Sequence, residues 1–159
     1  MPDKLEPIAD QNKNRLRVYI ALSLVWMVVI FAFSHQAYSG RITEAYLGEA
    51  ANVPVRKLGH VTEFGVLSLL YWKTLFYFLK VKGREMRPVL TIVCAFGAAF
   101  AYACLDEWHQ AFVPGRSSSF YDVLVDSSGM IVAMILAYFY TRRSISIDRE
   151  QARRQQSQA

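Results

Sequence analysis

Residues 18–33, VYIALSLVWMVVIFAF, pass 16 positions without one charged side chain. Three further apolar segments follow, at about 59–79, 89–105 and 120–140. Half-buried strands alternate polar and apolar residues over short runs, whereas these segments are long and uniformly apolar, so helices are the economical reading. A hydrocarbon core of about 30 Å takes about 20 residues of helix to cross. The first segment is slightly short by that measure, and Ser34 with its neighbours completes it. Basic residues before it would also suit a signal peptide, but Ser34-His35-Gln36-Ala37 has no convincing small-x-small cleavage pattern. The expectation is an all-α polytopic membrane protein, a bundle of four transmembrane helices.

Composition and charge placement support this reading. The chain is 53% hydrophobic and only 19% charged, against about 25% charge in ordinary soluble domains. That excludes a soluble globular enzyme and a disordered chain. The net charge of +5 is not a nucleic-acid signal, because no basic patch interleaved with aromatics and no finger spacing occurs. Of the 18 Lys and Arg, four precede the first segment, four lie between the second and third, and five follow the fourth. Four lie on the opposite side, and Lys73 sits within a span. The positive-inside rule then makes both termini cytoplasmic. Residues 1–17 read as a polar cytoplasmic segment and residues 142–159 as a basic cytoplasmic tail. The first 17 and last 12 residues are expected to be flexible. Residues 18–141 form the membrane domain between them. Cys94 and Cys104 would stand about 15 Å apart on a helix, too far for a disulfide.

Local signals refine the helices. Pro88 suits a first turn. Ser119 is a candidate N-cap before Phe120, in a loop with Ser117 and Ser118. Gly97 and Ala101 predict a close helix contact, and Asp122, Asp126, Gly129 and Ala133 share one narrow face. Tyr71, Trp72, Phe76, Tyr77 and Phe78 are expected to face lipid and the inner interface, and Lys73 to snorkel or pair. Tyr138, Phe139 and Tyr140, before Arg142 and Arg143, read as an interfacial anchor.

With this topology the polar residues of all four segments gather at the outer face. Ser34, His35 and Gln36 end the first. Arg56, Lys57, His60 and Glu63 begin the second, and Asp106, Glu107, His109 and Gln110 end the third. Pro114, Gly115 and Arg116 follow, then Asp122 and Asp126. Helical geometry puts Arg56, His60 and Glu63 in one stripe and turns Glu107 away from Asp106 and Gln110. Ionisable groups at membrane depth cost too much to face lipid when they can face one another. His60, Glu63, Asp106 and Asp122 are the candidate acid–base groups. Arg56, Lys57, Gln36, Gln110, Arg116 and Asp126 are the candidate substrate-binding groups. No cofactor is specified. His60 and Glu63 lie three apart as in helical metal sites, and one histidine among carboxylates suits Mg or Mn better than Zn, so a divalent cation stays open. The simpler alternative is an ion-pair network that ties the helices together. No nucleophile elbow, Cys/His couple or phosphate-cradling loop is present.

Three blocks resemble the VanZ-like family of small bacterial membrane proteins. They are Phe33-Ser34-His35-Gln36, then Lys57-x-x-His60-x-x-Glu63-Phe64, then Asp106-Glu107-x-x-Gln110-x-x-x-Pro114-Gly115-Arg116 followed by Asp122 and Asp126-x-x-Gly129. Relatives often carry Tyr at the place of Phe64 and Asn at that of Asp126. The resemblance spans about residues 34–137. It implies a multi-pass protein of the bacterial cytoplasmic membrane and a link to glycopeptide or lipoglycopeptide susceptibility, without an assigned reaction. With the polar cluster, the expected function is hydrolysis or transfer on a lipid-linked or cell-envelope substrate. The alternative is a non-catalytic protein that binds an anionic lipid head group or a lipopeptide. Partners on either reading are the bilayer and such an envelope ligand, with no nucleic acid. A proton or ion path fits less well, because the ionisable groups stop in the outer third.

Overall fold

A computed structural model describes residues 5–116 and 118–156. Its helices run α1 Leu5–Ser34, α2 Ser39–Leu47, α3 Glu49–Val81, α4 Pro88–Gln110 and α5 Phe120–Gln156. The tail ends 1–4 and 157–159, and Ser117 of the loop before α5, lie outside the described residues. No strand occurs among the described residues, and four helices are long and apolar enough to cross a membrane. The all-α, four-span expectation holds.

Three boundaries differ from the sequence reading. The polar ends are helical: α1 starts at Leu5 and α5 continues to Gln156. Lys, Arg, Gln and Glu are good helix formers, and the Lys13–Asp10 and Arg154–Glu150 pairs add spacing-matched contacts. α3 begins at Glu49, ten residues before its apolar run. Pro54 lies within it, where the missing N–H removes one bond near the helix start. The short helix α2 was not expected; it packs on α3.

Helix α3 is the hub, packing against each of the other four helices, while α1 and α5 do not meet among the described residues. Lipid supplies little hydrophobic force between helices, so close approach of small residues must hold them. On α4 these are Ala95, Ala99 and Ala103, each at most 1% exposed. The expected pair Gly97 and Ala101 is instead exposed, and a methyl group on Gly97 would meet nothing within 4 Å. The reason lies at the helix end. The alanine face continues into buried Asp106 and Gln110, whereas the Gly97 face continues into exposed Leu105 and Trp108. On α5 the expected face does turn inward, with Asp126 and Ala133 buried and Gly129 against the Val61 carbonyl of α3.

The core has two parts. Ile30, Phe64, Leu67, Ala99, Ala103, Val123 and Met130 fill the half nearer the polar cluster. Trp72, Phe76, Tyr77, Ala95, Ala133, Met134 and Ala137 fill the other half. Trp72, Phe76 and Tyr77 are thus core residues, which corrects the lipid-facing expectation; Phe78 alone of the five is exposed. The small faces of α4 and α5 leave room that these rings occupy. The Lys73 ammonium lies 4.7 Å from the Trp72 ring centre and 4.2 Å from that of Tyr140, so it pairs with aromatic faces. Cys94 and Cys104 are free thiols.

Candidate functional site

The end of α1, the start of α3, the end of α4 and the start of α5 meet at one end of the bundle. Four arrangements are built there.

The first joins α1 to α4. The Ser34 hydroxyl donates to Asp106 Oδ2 at 2.8 Å, and Gln110 Nε2 donates to the same oxygen at 2.7 Å and to Ser34 Oγ at 3.2 Å. All three residues are at most 5% exposed. A buried carboxylate with two donors is satisfied.

The second explains the Pro114-Gly115-Arg116 block. The Tyr38 N–H donates to the Pro114 carbonyl at 3.2 Å. Gly115 has φ +77, and its missing side chain leaves room for the Tyr38 ring, since a Cβ would sit 2.6 Å from it. Arg116 Nη1 then donates to the Ser34 carbonyl at 2.7 Å and the Phe33 carbonyl at 3.2 Å. These are carbonyls of the last turn of α1, so a cation caps that helix end. Burial, and then the neighbouring Arg56 charge, lower the Arg116 pKa from its ordinary value.

In the third, Glu107 receives the start of α5. Its carboxylate accepts the Ser119 N–H, and the Ser118 hydroxyl donates to its carbonyl at 2.9 Å. Ser119 Oγ accepts from the Tyr121 N–H at 3.2 Å, the N-cap expected from sequence.

The fourth is a cavity of about 140 Å³ lined by Arg56, Lys57 and His60 of α3, Glu107 and Gln110 of α4, and Asp122 and Asp126 of α5, with Val53 and Val125. Lys57 Nζ pairs with Asp122 Oδ1 at 3.0 Å across it, with side chains 42% and 34% exposed. His60 Nδ1 is buried without a hydrogen-bond partner, 3.7 Å from Glu63 Oε2. Asp126 is 5% exposed and makes no hydrogen bond or ion pair among the described residues. Arg56 likewise has none.

The sequence-predicted residues therefore divide. Arg56, Lys57, His60, Gln110, Asp122 and Asp126 line one cavity. Glu63 lies beside His60 but off the lining, while Asp106 and Arg116 hold α1. Gln36 is exposed after the last turn of α1 and off the lining. Glu107 was turned away on a helical wheel but is buried and lines the cavity. Helix α4 packs on three helices, so more than one of its faces is inside. His35 and His109 also meet, Nδ1 to Nε2 at 3.2 Å with ring centres 5.3 Å apart. Their edges face each other, and Phe31 packs on His109 at 4.7 Å. Phe64 is fully buried against the His60 ring. Among the described residues no three His, Cys, Asp or Glu side chains are grouped closely enough to hold a metal ion.

Four apolar helices with a polar, ion-paired end define a multi-pass membrane protein. Residues 19–141 match the model of the VanZ/LLP1 family. The chain belongs to that family. Neither a curated protein nor a solved structure matches it.

Proposed function

We propose that this protein acts at the extracytoplasmic boundary of the bacterial cytoplasmic membrane, on the head group of a lipid-linked or cell-envelope substrate, by hydrolysis or transfer. One observation carries the reading. A single cavity holds an imidazole, two cations and three carboxylates at the end of apolar helices, where such groups are costly unless they have work to do. At about 140 Å³ the cavity is well below the roughly 300–1,000 Å³ of pockets that enclose drug-sized ligands. It suits a small head group whose tail stays in lipid.

His60, with Nδ1 buried and without a hydrogen-bond partner among the described residues, is the acid–base candidate, with Glu63 beside it and Asp122 and Asp126 lining the same cavity. Arg56 and Lys57 hold the anionic part of the ligand. Asp106 and Arg116 become positioning residues, because Asp106 Oδ2 and Arg116 Nη1 hold α1. The distribution of Lys and Arg supports cytoplasmic termini, with residues 1–17 and 142–159 as cytoplasmic segments flanking the membrane domain. The second reading, a non-catalytic head-group binder, is favoured by that same engagement of Asp106 and Arg116, which leaves fewer groups for chemistry. A changed susceptibility to glycopeptides or lipoglycopeptides would then follow from occupancy alone.

Lipid extracts from cells expressing the wild type, His60→Gln or no protein separate the two. An enzyme converts an envelope lipid, seen by mass spectrometry, and His60→Gln abolishes the conversion. Identical extracts from all three strains would leave the binder.

A further inference from the structure

The charges around the cavity are sorted by helix. Arg56, Lys57 and His60 form the α3 wall, while Asp122 and Asp126 of α5 and Glu107 of α4 form the opposing walls. Lys57 and Asp122 join across it, but both side chains are more than one-third exposed, so water screens that pair and it holds the cavity closed only weakly. Two groups of opposite sign remain unsatisfied. Among the described residues Arg56 has no hydrogen-bond or ion-pair partner, and Asp126 is 95% buried with none. Glu107 already accepts the Ser119 N–H with one oxygen. A purely anionic ligand would satisfy Arg56 and place its charge beside three carboxylates. A purely cationic one would satisfy Asp126 and face Arg56 and Lys57.

We infer that the ligand is a zwitterionic head group, a phosphate next to a primary ammonium, lying across the cavity with its phosphate on Arg56 and its ammonium on Asp126. The inference rests on the head-group reading proposed above and names its ligand class. Guanidinium gives phosphate two parallel donors. A primary ammonium gives a buried carboxylate three donors, which a quaternary ammonium cannot. The cavity lies at the ends of membrane-spanning helices, with Asp126 about 9 Å along α5 from Phe120. The head-group region is about 5–7 Å thick on each face of the bilayer, so Asp126 would stand at its inner edge and a phosphatidylethanolamine-type lipid is the source that the position favours.

Native mass spectrometry of the purified full chain tests this with phosphatidylethanolamine, phosphatidylglycerol and phosphatidylcholine of identical acyl chains. The wild type is expected to retain the ethanolamine lipid about tenfold or more over the other two, the value of one charge-assisted hydrogen bond. Asp126→Asn, nearly isosteric and checked for an unchanged melting temperature, is expected to erase that preference and leave phosphatidylglycerol binding unchanged. Arg56→Gln is expected to weaken both phosphatidylethanolamine and phosphatidylglycerol. Glycerophosphoethanolamine, the same head group without acyl chains, is expected to displace the lipid poorly; equal potency would overturn the lipid source. Equal retention of phosphatidylglycerol and phosphatidylethanolamine by the wild type, or a preference that survives Asp126→Asn, overturns the zwitterion. In that case binding still sensitive to Arg56→Gln keeps the head-group site. If Arg56→Gln changes the retention of no lipid, the head-group reading fails as well.

Discussion

Gly129 of α5 lies directly against the main chain of Val61 in α3, so close that a methyl group on Gly129 would stand 2.0 Å from the Val61 carbonyl oxygen. Gly65, one turn further along α3, faces Gly129 in turn. The glycines set the separation of α3 and α5, and through it the width of the cavity that those helices wall. Asp126 sits one turn from Gly129 on the same face.

Gly129→Ala is therefore expected to force the helices apart at an unyielding backbone atom. The cost should reach or exceed the upper end of ordinary overpacking, about 3 kcal/mol. Gly97→Ala, which meets only open space, should leave stability unchanged or slightly raised. Thermal unfolding of the two variants in the same detergent checks the pair. Equal melting temperatures would show that α3 and α5 do not pack this way.

The Ser34, Asp106 and Gln110 cluster makes a second prediction. Ser34→Ala and Gln110→Ala each remove one donor from the Asp106 carboxylate, and each should destabilise the fold by about 1–3 kcal/mol. Because both act on one acceptor, their effects should be non-additive, with a coupling of about 0.5–3 kcal/mol in a double-mutant cycle. Strict additivity would mean that Asp106 is not their shared partner. Arg116→Gln should destabilise to a similar extent by uncapping α1, and Arg116→Lys less, since one donor to the Ser34 carbonyl can be rebuilt.

Orientation is tested by chemistry on whole cells. With Cys94 and Cys104 replaced by alanine, Ser118→Cys should react with a membrane-impermeant maleimide added outside. Gly83→Cys, in the connection between α3 and α4, should react only after the cells are opened. The reverse pattern would put the cavity on the cytoplasmic side and remove the envelope substrate from consideration.

How far the residues alone lead depends on what each signal reports. The four spans were legible because hydropathy over about 20 residues is a property of the segment itself. The convergence of Arg56, His60, Gln110 and Asp126 followed from topology and the expense of charge in lipid. Facing was legible only where polar residues break the symmetry of a helix. Asp122 and Asp126 oriented α5 correctly. On α4 two small-residue stripes competed, and the Gly97–Ala101 stripe turned out to be the exposed one. Glu107 was misjudged for a related reason: a helical wheel assumes one inward face, and α4 has neighbours on several sides. The division of labour within the cluster was not legible at all. Whether Arg116 meets a ligand or the end of α1 depends on the path of the 111–119 connection, which residue spacing does not describe.

The hub position of α3 has a consequence for how the protein is made. Emerging first, α1 can pair with α3 as soon as α3 is inserted, and α2 can settle on the same helix. At that stage Arg56 and Lys57 are already in place, as is His60 with Glu63 beside it, but the carboxylates of the opposing walls are not. Glu107 arrives only at the end of α4, and Asp122 and Asp126 arrive with the last helix, which seals the cavity by pressing Gly129 onto Val61. The nascent chain thus carries Arg56 and Lys57 without those carboxylates at the membrane boundary until α5 has been made. A ribosome that stops before α5 would release a membrane-inserted chain whose exposed cations distinguish it from the finished protein.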